Sequence, residues 1–295
     1  MTDAAPEPDR VPGAPHPRMA ATVFGHDAAA AEALAAQTGG RMHHGWLIEG
    51  PRGVGKATFA WAFARFLLAT PVTDGSGAGL FDDPAPARFE VAPDHAVARQ
   101  TRALSHPGVF LLRRGGAGDT EAARAKAREE GRFSADIRVD EARKLKQFFA
   151  MSAPDGGRRV VIVDAADDLN TQAANAILKI LEEPPERTVM LLVAHQPAAL
   201  LPTIRSRCRT LRLGALGPAH LAAALDQAGV DRSDVAPDAL ATLSGGSAGL
   251  AVRLIALDGV ALYGDLLALL SGLPALDRPR LLALSDSCAG KGREE

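Results

Sequence analysis

Residues 50 to 58 read Gly-Pro-Arg-Gly-Val-Gly-Lys-Ala-Thr, a spacing that can cradle phosphate. In such a loop, backbone N–H groups around the glycines wrap the phosphate oxygens, the lysine contacts the terminal ones, and a Ser or Thr after the lysine ligates Mg²⁺. Gly50, Gly53, Gly55 and Lys56 are present, but Ala57 stands where the hydroxyl belongs. Thr58 does not restore it, because one residue along a helix turns the side chain by ~100° away from the phosphates. These residues allow ATP or ADP to bind and argue against metal-assisted hydrolysis.

A second chemical landmark is Val160-Val161-Ile162-Val163-Asp164, a β-branched run ending in an acid. A P-loop ATPase sets its magnesium-supporting aspartate in this way. The carboxylate that would next orient a water is replaced by Ala165. Asp167 and Asp168 are offset by two or three positions, so helix N-capping or surface solvation is their expected use. Asp164 taken alone would also fit a strand-end cap.

The elements that must position these groups follow from pattern. Trp46-Leu47-Ile48 is a short apolar run ending at the loop, and Phe59, Phe63, Phe66 and Leu67 recur at i, i+4, i+7 and i+8 behind it. Strand, loop and helix in that order aim a helix N-terminus at an anion. A glycine-rich turn before any buried helix would share the glycines but not this order. Further strand candidates are Gly108 to Leu112, Val160 to Val163 and Val189 to Val193. Alternation of such strands with helices from Ala20 to Leu213 predicts an α/β layer with a mostly parallel sheet. Asp74 to Pro86 and the charged, Gly- and Ala-rich Gly115 to Arg132 are expected to be surface insertions or mobile loops.

Residues 1–19, with Pro6, Pro8, Pro12, Pro15 and Pro17, are expected to form an extended, poorly ordered tail. After Gly214 the pattern is Ala- and Leu-rich and helical, predicting a small helical lid over 214–257. A further helical segment occupies 258–295, with Tyr263, Leu266, Leu267 and Leu270 on it.

Composition sets the frame. The 295 residues are 47% hydrophobic and 23% charged, enough for a sizeable core and more than one domain. A net charge of -2 argues against a protein that coats nucleic acid wholesale. Cys208 and Cys288 are the only cysteines, which fits a reducing cytoplasm and leaves no four-cysteine zinc module. No apolar leader or membrane-length run is present, so the expectation is a cytoplasmic chain without membrane contact.

Asn170 to Pro185 forms one amphipathic helix, capped by Asn170, buried through Ala174, Ile177, Leu178 and Leu181, and stopped by Pro184-Pro185. Together with Leu201-Pro202-Thr203-Ile204-Arg205-Ser206-Arg207-Cys208, its wording closely resembles bacterial clamp-loader subunits. These are AAA+ superfamily members that open sliding clamps for DNA polymerase III, and the resemblance runs from Phe24 to Leu257. It implies an AAA+ P-loop α/β domain over 20–213, the helical lid, and the start of a helical collar over 258–295. His106-Pro107 also fits the family, though chemically it is a turn and strand entry.

Within that family the Ser-Arg-Cys triplet carries an arginine finger, and Arg207 is the matching residue. A guanidinium delivered in trans to a γ-phosphate is worth ~10³ to 10⁵ in rate, roughly 4 to 7 kcal/mol of barrier. Outside that context, Arg207 would fit a surface salt bridge at a helix end. Motor subunits of the family keep the loop hydroxyl, an acidic pair after the strand, and a sensor arginine in Gly-Ser-x-Arg. Here Gly246-Ser247-Ala248-Gly249 puts glycine at that place, and Arg253 lies a turn further on. Ala194-His195-Gln196 departs from the family's small polar residues. His195 could contact phosphate, with a solvated loop position the expected one.

These departures disable turnover in cis while keeping the trans arginine, a combination that resembles the delta-prime family. The resemblance implies a non-hydrolysing stator whose partners are the motor and clamp-opening subunits, the sliding clamp and primer-template DNA. It needs no cofactor of its own, and the zinc element of many such relatives has no cysteines here. Arg138, Arg143, Lys144 and Lys146 form a basic cluster on a helix whose other face carries Ala142, Leu145, Phe148 and Phe149. They could neutralise DNA phosphates or simply form a solvated face. The alternatives are an ATP-hydrolysing motor of the same superfamily and a P-loop small-molecule kinase.

Overall fold

The computed structural model describes residues 6–70, 88–151, 157–233 and 235–288. The segment from Asp74 to Pro86 lies outside them. Contacts divide the chain into two units: residues up to Arg10 together with Pro15–Gly214, and Val11–Ala14 together with the residues from Ala215 onward.

The first unit is built on strands β1 (Gly45–Glu49), β2 (Val109–Arg113), β3 (Arg159–Asp164), β4 (Thr188–Ala194) and β5 (Arg209–Arg212). All pair in parallel, in the order β2-β3-β4-β1-β5. β3 and β4 are buried on both faces, which their unbroken apolar runs require. Alternate residues serve opposite layers. Trp46, Ile48, Ile162 and Leu191 pack with Phe59, Phe63 and Leu67 of α2 (Lys56–Ala69) and with Leu34 of α1 (Asp27–Thr38). Leu47, Val161, Val163 and Leu192 pack with Leu145 and Phe148 of α5 (Val139–Ala150) and with Ile177 and Leu181 of α6 (Thr171–Glu182).

Several expectations need correction. β5 was not among the strand candidates, because Arg209 and Arg212 interrupt its apolar pattern. It is an edge strand with only Leu211 buried, so charge on its open side is tolerated and blunts edge pairing. The stretch Gly115 to Arg132 is not a loop throughout. Its residues Glu121–Glu129 form α4, capped by the Thr120 hydroxyl and anchored by the buried Ala127. Between β1 and β2 the described residues also include α3 (Ala96–Arg102).

The largest departure is at the N-terminus, where residues 6–19 do not form a loose tail. Arg113 donates to Glu7 (3.0 Å) and Asp9 (2.6 Å), Arg18 donates to both oxygens of Glu7, and Asp9 bonds His16 at 2.9 Å. His16 is buried and meets the Trp61 ring edge-on. Proline-rich composition predicted low local order, but two carboxylates clamped by two guanidinium groups and a histidine, together with a histidine–tryptophan contact, override it.

After α7 (Pro202–Arg205) and β5, the second unit is helical: α8 (Pro218–Gln227), α9 (Pro237–Ser244), α10 (Ala248–Ala256), α11 (Gly259–Ser271) and α12 (Arg278–Cys288). Leu216, Leu221, Leu225, Leu240, Ala251 and Val252 form its core, joined by Val11 and Ala14. Gly246 sits at φ 72°, where an added Cβ would lie 2.5 Å from the Leu216 carbonyl, so glycine is needed there for packing. Tyr263, Leu266, Leu267 and Leu270 on α11 are exposed. No single described helix is long and apolar enough to cross a membrane.

Candidate functional site

The loop between β1 and α2 has the backbone that a phosphate cradle demands. Gly50, Gly53 and Gly55 take φ of 151°, 76° and 104°, values that disfavour any side chain. Gly50 has a second constraint, since a Cβ there would fall 2.1 Å from the Leu213 carbonyl oxygen. His26, buried at the start of α1, contributes an Nε2 contact of 2.8 Å to the Val54 carbonyl and pins the middle of the loop. Sequence reasoning passed over this residue, and its position before Asp27 gives no local signal.

Lys56 opens α2 and is buried. Its Nζ donates to the carbonyls of Gly50 (2.7 Å) and Pro51 (2.5 Å), so the ammonium is held by the loop's own backbone. Burial pulls its pKa down to about 8, with Asp167 and Asp164 opposing the shift. Asp164 ends β3 and is buried, with Oδ2 lacking a hydrogen-bond partner among the described residues. Burial pushes its carboxyl up to about 7, and the neighbouring Asp9 charge adds to the shift. Asp9 arrives through Arg113, which pairs in register with Asp164 across β2 and β3. Ala57 and Ala165 carry no side-chain oxygen, so neither position adds a metal ligand beside Asp164.

Two expectations change here. Asp167 is not a helix cap, and its half-buried carboxylate has specific backbone partners. A 3-10 turn over Ala166–Asp168 swings it back to the sheet, where its carboxylate accepts the His195 and Gln196 amides at 3.0 and 3.1 Å. Asp168 pairs with Arg114 at 3.4 Å. His195 is not a solvated loop histidine: its Nδ1 is buried with no hydrogen-bond partner among the described residues, and burial, aided by the Lys56 charge, pulls its pKa to about 4. It is a neutral imidazole at neutral pH. With Arg52, Asp167, Asp168, Gln196 and Ala199 it lines an open cleft of about 370 Å³.

Arg207 lies at the other end of the sheet. It follows α7, and its carbonyl would be 3.1 Å from a Cβ at Gly45, the first residue of β1. Gly50 is five residues further along that strand, ~16 Å away at ~3.3 Å per residue, more than an arginine side chain spans. The guanidinium donates to the Thr203 carbonyl at 3.0 Å and pairs with Glu182 at 2.9 Å. Its neighbour Cys208 is half-buried, and burial pushes the thiol up to about 12, so it is no nucleophile at neutral pH.

Of the basic cluster, Arg143, Lys144 and Lys146 fall on α5 and Arg138 is the N-cap residue before it, with Ala142, Leu145 and Phe148 inward. Its charges are largely answered locally. Arg138 donates to the Gly118 carbonyl, Arg143 pairs with Asp140, and Lys144 pairs with Glu141. In the second unit, Ser247 caps α10 by accepting the Leu250 amide, and Gly249 falls in the first turn of that helix. Among the described residues no group of His, Cys, Asp or Glu is arranged to hold a metal ion.

A parallel sheet in this order, with the glycine loop after β1 and an acid ending β3, defines a P-loop domain of the AAA+ type with a helical C-terminal part. The family model for DNA polymerase III, delta subunit, matches residues 26–217. The DNA polymerase III delta-prime subunit of Pseudomonas aeruginosa is 36% identical over 227 residues, covering 76% of this chain and 60% of that protein. The Escherichia coli delta-prime subunit is 32% identical over 222 residues, covering 75% and 57%. A crystal structure of a DNA polymerase III gamma-subunit-related protein from Thermotoga maritima is 20% identical, covering 88% of this chain and 68% of that one, with a TM-score of 0.46. The chain belongs to the DNA polymerase III delta-subunit family and is delta-prime-like. It spans less than two thirds of the length of the curated relatives it matches.

Proposed function

We propose that this chain is a stator of the DNA polymerase III clamp loader, turning over no ATP itself and lending Arg207 to an ATP site on a neighbouring motor subunit. The observation that carries the reading is the position of Arg207, over a strand's length from the chain's own phosphate loop and more than a third exposed. A guanidinium there has nothing to catalyse in its own protomer, and it can serve a site brought to it by another. Loss of function in cis supports the same reading. Ala57 supplies no magnesium ligand, Ala165 supplies no water-orienting carboxylate, and Lys56 is spent on loop carbonyls.

The cradle keeps a fit for phosphate in its backbone but not for a metal–nucleotide complex. ATP or ADP would have to draw Lys56 off Gly50 and Pro51, and its magnesium would rely on Asp164, whose pKa near 7 keeps it partly protonated at neutral pH. Binding without turnover is the consequence. Zinc has no place in the proposal. The proposed partners are the motor and clamp-opening subunits, the sliding clamp and primer-template DNA, with Lys146 the α5 cation best placed for a phosphate because Arg143 and Lys144 are already paired. The test is Arg207→Ala in a loader reconstituted on primed DNA. The variant should fold and assemble normally, while turnover at the site it faces falls by ~10³ or more. Unchanged turnover in a properly assembled complex would overturn the proposal.

A further inference from the structure

An arginine at the surface has several rotatable bonds, and a guanidinium that wanders contributes little to a transition state that must find it in place. In this chain the Arg207 head is tied from two directions: one terminal nitrogen donates to the Thr203 carbonyl at 3.0 Å within its own turn, and the other meets Glu182 Oε1 at 2.9 Å from a different helix. The remaining donors of the planar fork are left for another acceptor. We propose that Glu182 is the positioning residue of Arg207, which deepens and rests on the trans-arginine reading above.

The backbone around the pair is fixed independently of the pair. Glu182 is the last residue of α6, directly after the buried Leu181 and just ahead of Pro184, which cannot continue the helix. Ile204, fully buried, anchors α7 one residue after Thr203. Gly45 closes the junction: a Cβ there would stand 2.9 Å from Leu181 Cδ2, 3.1 Å from the Arg207 carbonyl and 3.2 Å from Cys208 Sγ. The end of α6, the turn before β5 and the start of β1 therefore meet at distances that leave no room for a methyl group. With both main chains held, the ion pair has only two side chains to order. At 37% and 43% side-chain exposure it adds little to folding stability, so its effect is expected in the reaction and not in the melt.

The experiment uses the full chain in the reconstituted loader, with steady-state ATP hydrolysis on primed DNA. Glu182→Ala should lower kcat about twofold to fivefold, the range expected when an exposed pair that orders an arginine is lost. KM, assembly and the melting temperature of the isolated chain should be unchanged. Glu182→Gln, which keeps the acceptor oxygen and drops the charge, should recover part of the loss. In an Arg207→Ala background, Glu182→Ala should cost nothing further, because a residue that acts through another has no effect once that other is gone. A wild-type kcat for Glu182→Ala beside a defective Arg207→Ala would overturn the positioning role and leave the trans-arginine reading standing. So would an increase in kcat, which would make Glu182 a restraint, or an additive loss in the double variant. Wild-type turnover by Arg207→Ala would overturn both.

Discussion

At the C-terminal ends of β1 and β3, Lys56 and Asp164 are buried and their pKa values are drawn towards each other, to about 8 and about 7. At the N-terminal end of β1, Arg207 and Glu182 are 37% and 43% exposed and meet as a solvated ion pair. The first end buries its charges inside the chain, with Lys56 held by backbone carbonyls and Asp164 Oδ2 without a hydrogen-bond partner among the described residues. The second presents a cation at the surface, where another protein can reach it. The scaffold of the loop end is intact: the glycine loop, the His26 contact and the Asp167 hold on the β4 turn are all present. The loop keeps its backbone geometry, and the arginine we propose to be the functional group lies at the opposite edge of the sheet.

Glycine substitutions should separate the two ends most sharply. Gly50→Ala forces a Cβ to 2.1 Å from a backbone oxygen at φ 151°, and neither strand can give way without breaking the sheet. A loss of ~3 kcal/mol or more in denaturant unfolding is expected. Next in size is the charge buried at Asp164. Its folded pKa is raised from 3.8 to about 7, so the folded state holds an extra proton between those values, and the associated stability is present at low pH and lost as pH rises through 7. Asp164→Asn keeps the shape without the charge. Its stability relative to wild type should rise across pH 4 to 7 by a few kcal/mol, level off above that, and show no advantage below pH 4. The smallest effect is at the other end, where Gly45→Ala meets the movable Leu181 side chain at 2.9 Å and the Arg207 carbonyl at 3.1 Å. About 1 to 2 kcal/mol of stability should be lost in the same denaturant assay, together with a fall in loader turnover as the Arg207 backbone shifts.

Much of this was legible in the residues. The apolar runs at Trp46, Val160 and Val189 gave the central strands, and the glycine spacing gave the loop, because both depend on local pattern. What stayed hidden depends on contacts distant in sequence. The Glu7 and Asp9 clamp on Arg113 spans over a hundred residues, so proline content alone could not reveal that the segment is ordered. Asp167 was misjudged because a 3-10 turn, not a helix, follows β3 and reverses the direction its side chain takes. His195 was read as solvated because it follows a strand in a loop, whereas its cleft is completed by residues from two other places in the chain, Arg52 and Asp167-Asp168. β5 escaped because an edge strand needs only one buried side chain. The Glu182 partner of Arg207 carries no sequence signal beyond its place at a helix end.

The central claim, that catalytic charge has passed from the loop end to the arginine end, is tested most directly by one paired measurement. ATP hydrolysis on primed DNA is compared between loaders carrying the wild-type chain, Lys56→Ala and Arg207→Ala, each with assembly confirmed. The account predicts that Lys56→Ala leaves the rate within about twofold of wild type, while Arg207→Ala silences the site it faces, ~10³-fold or more. The reverse order, with Lys56→Ala silent and Arg207→Ala active, would contradict it.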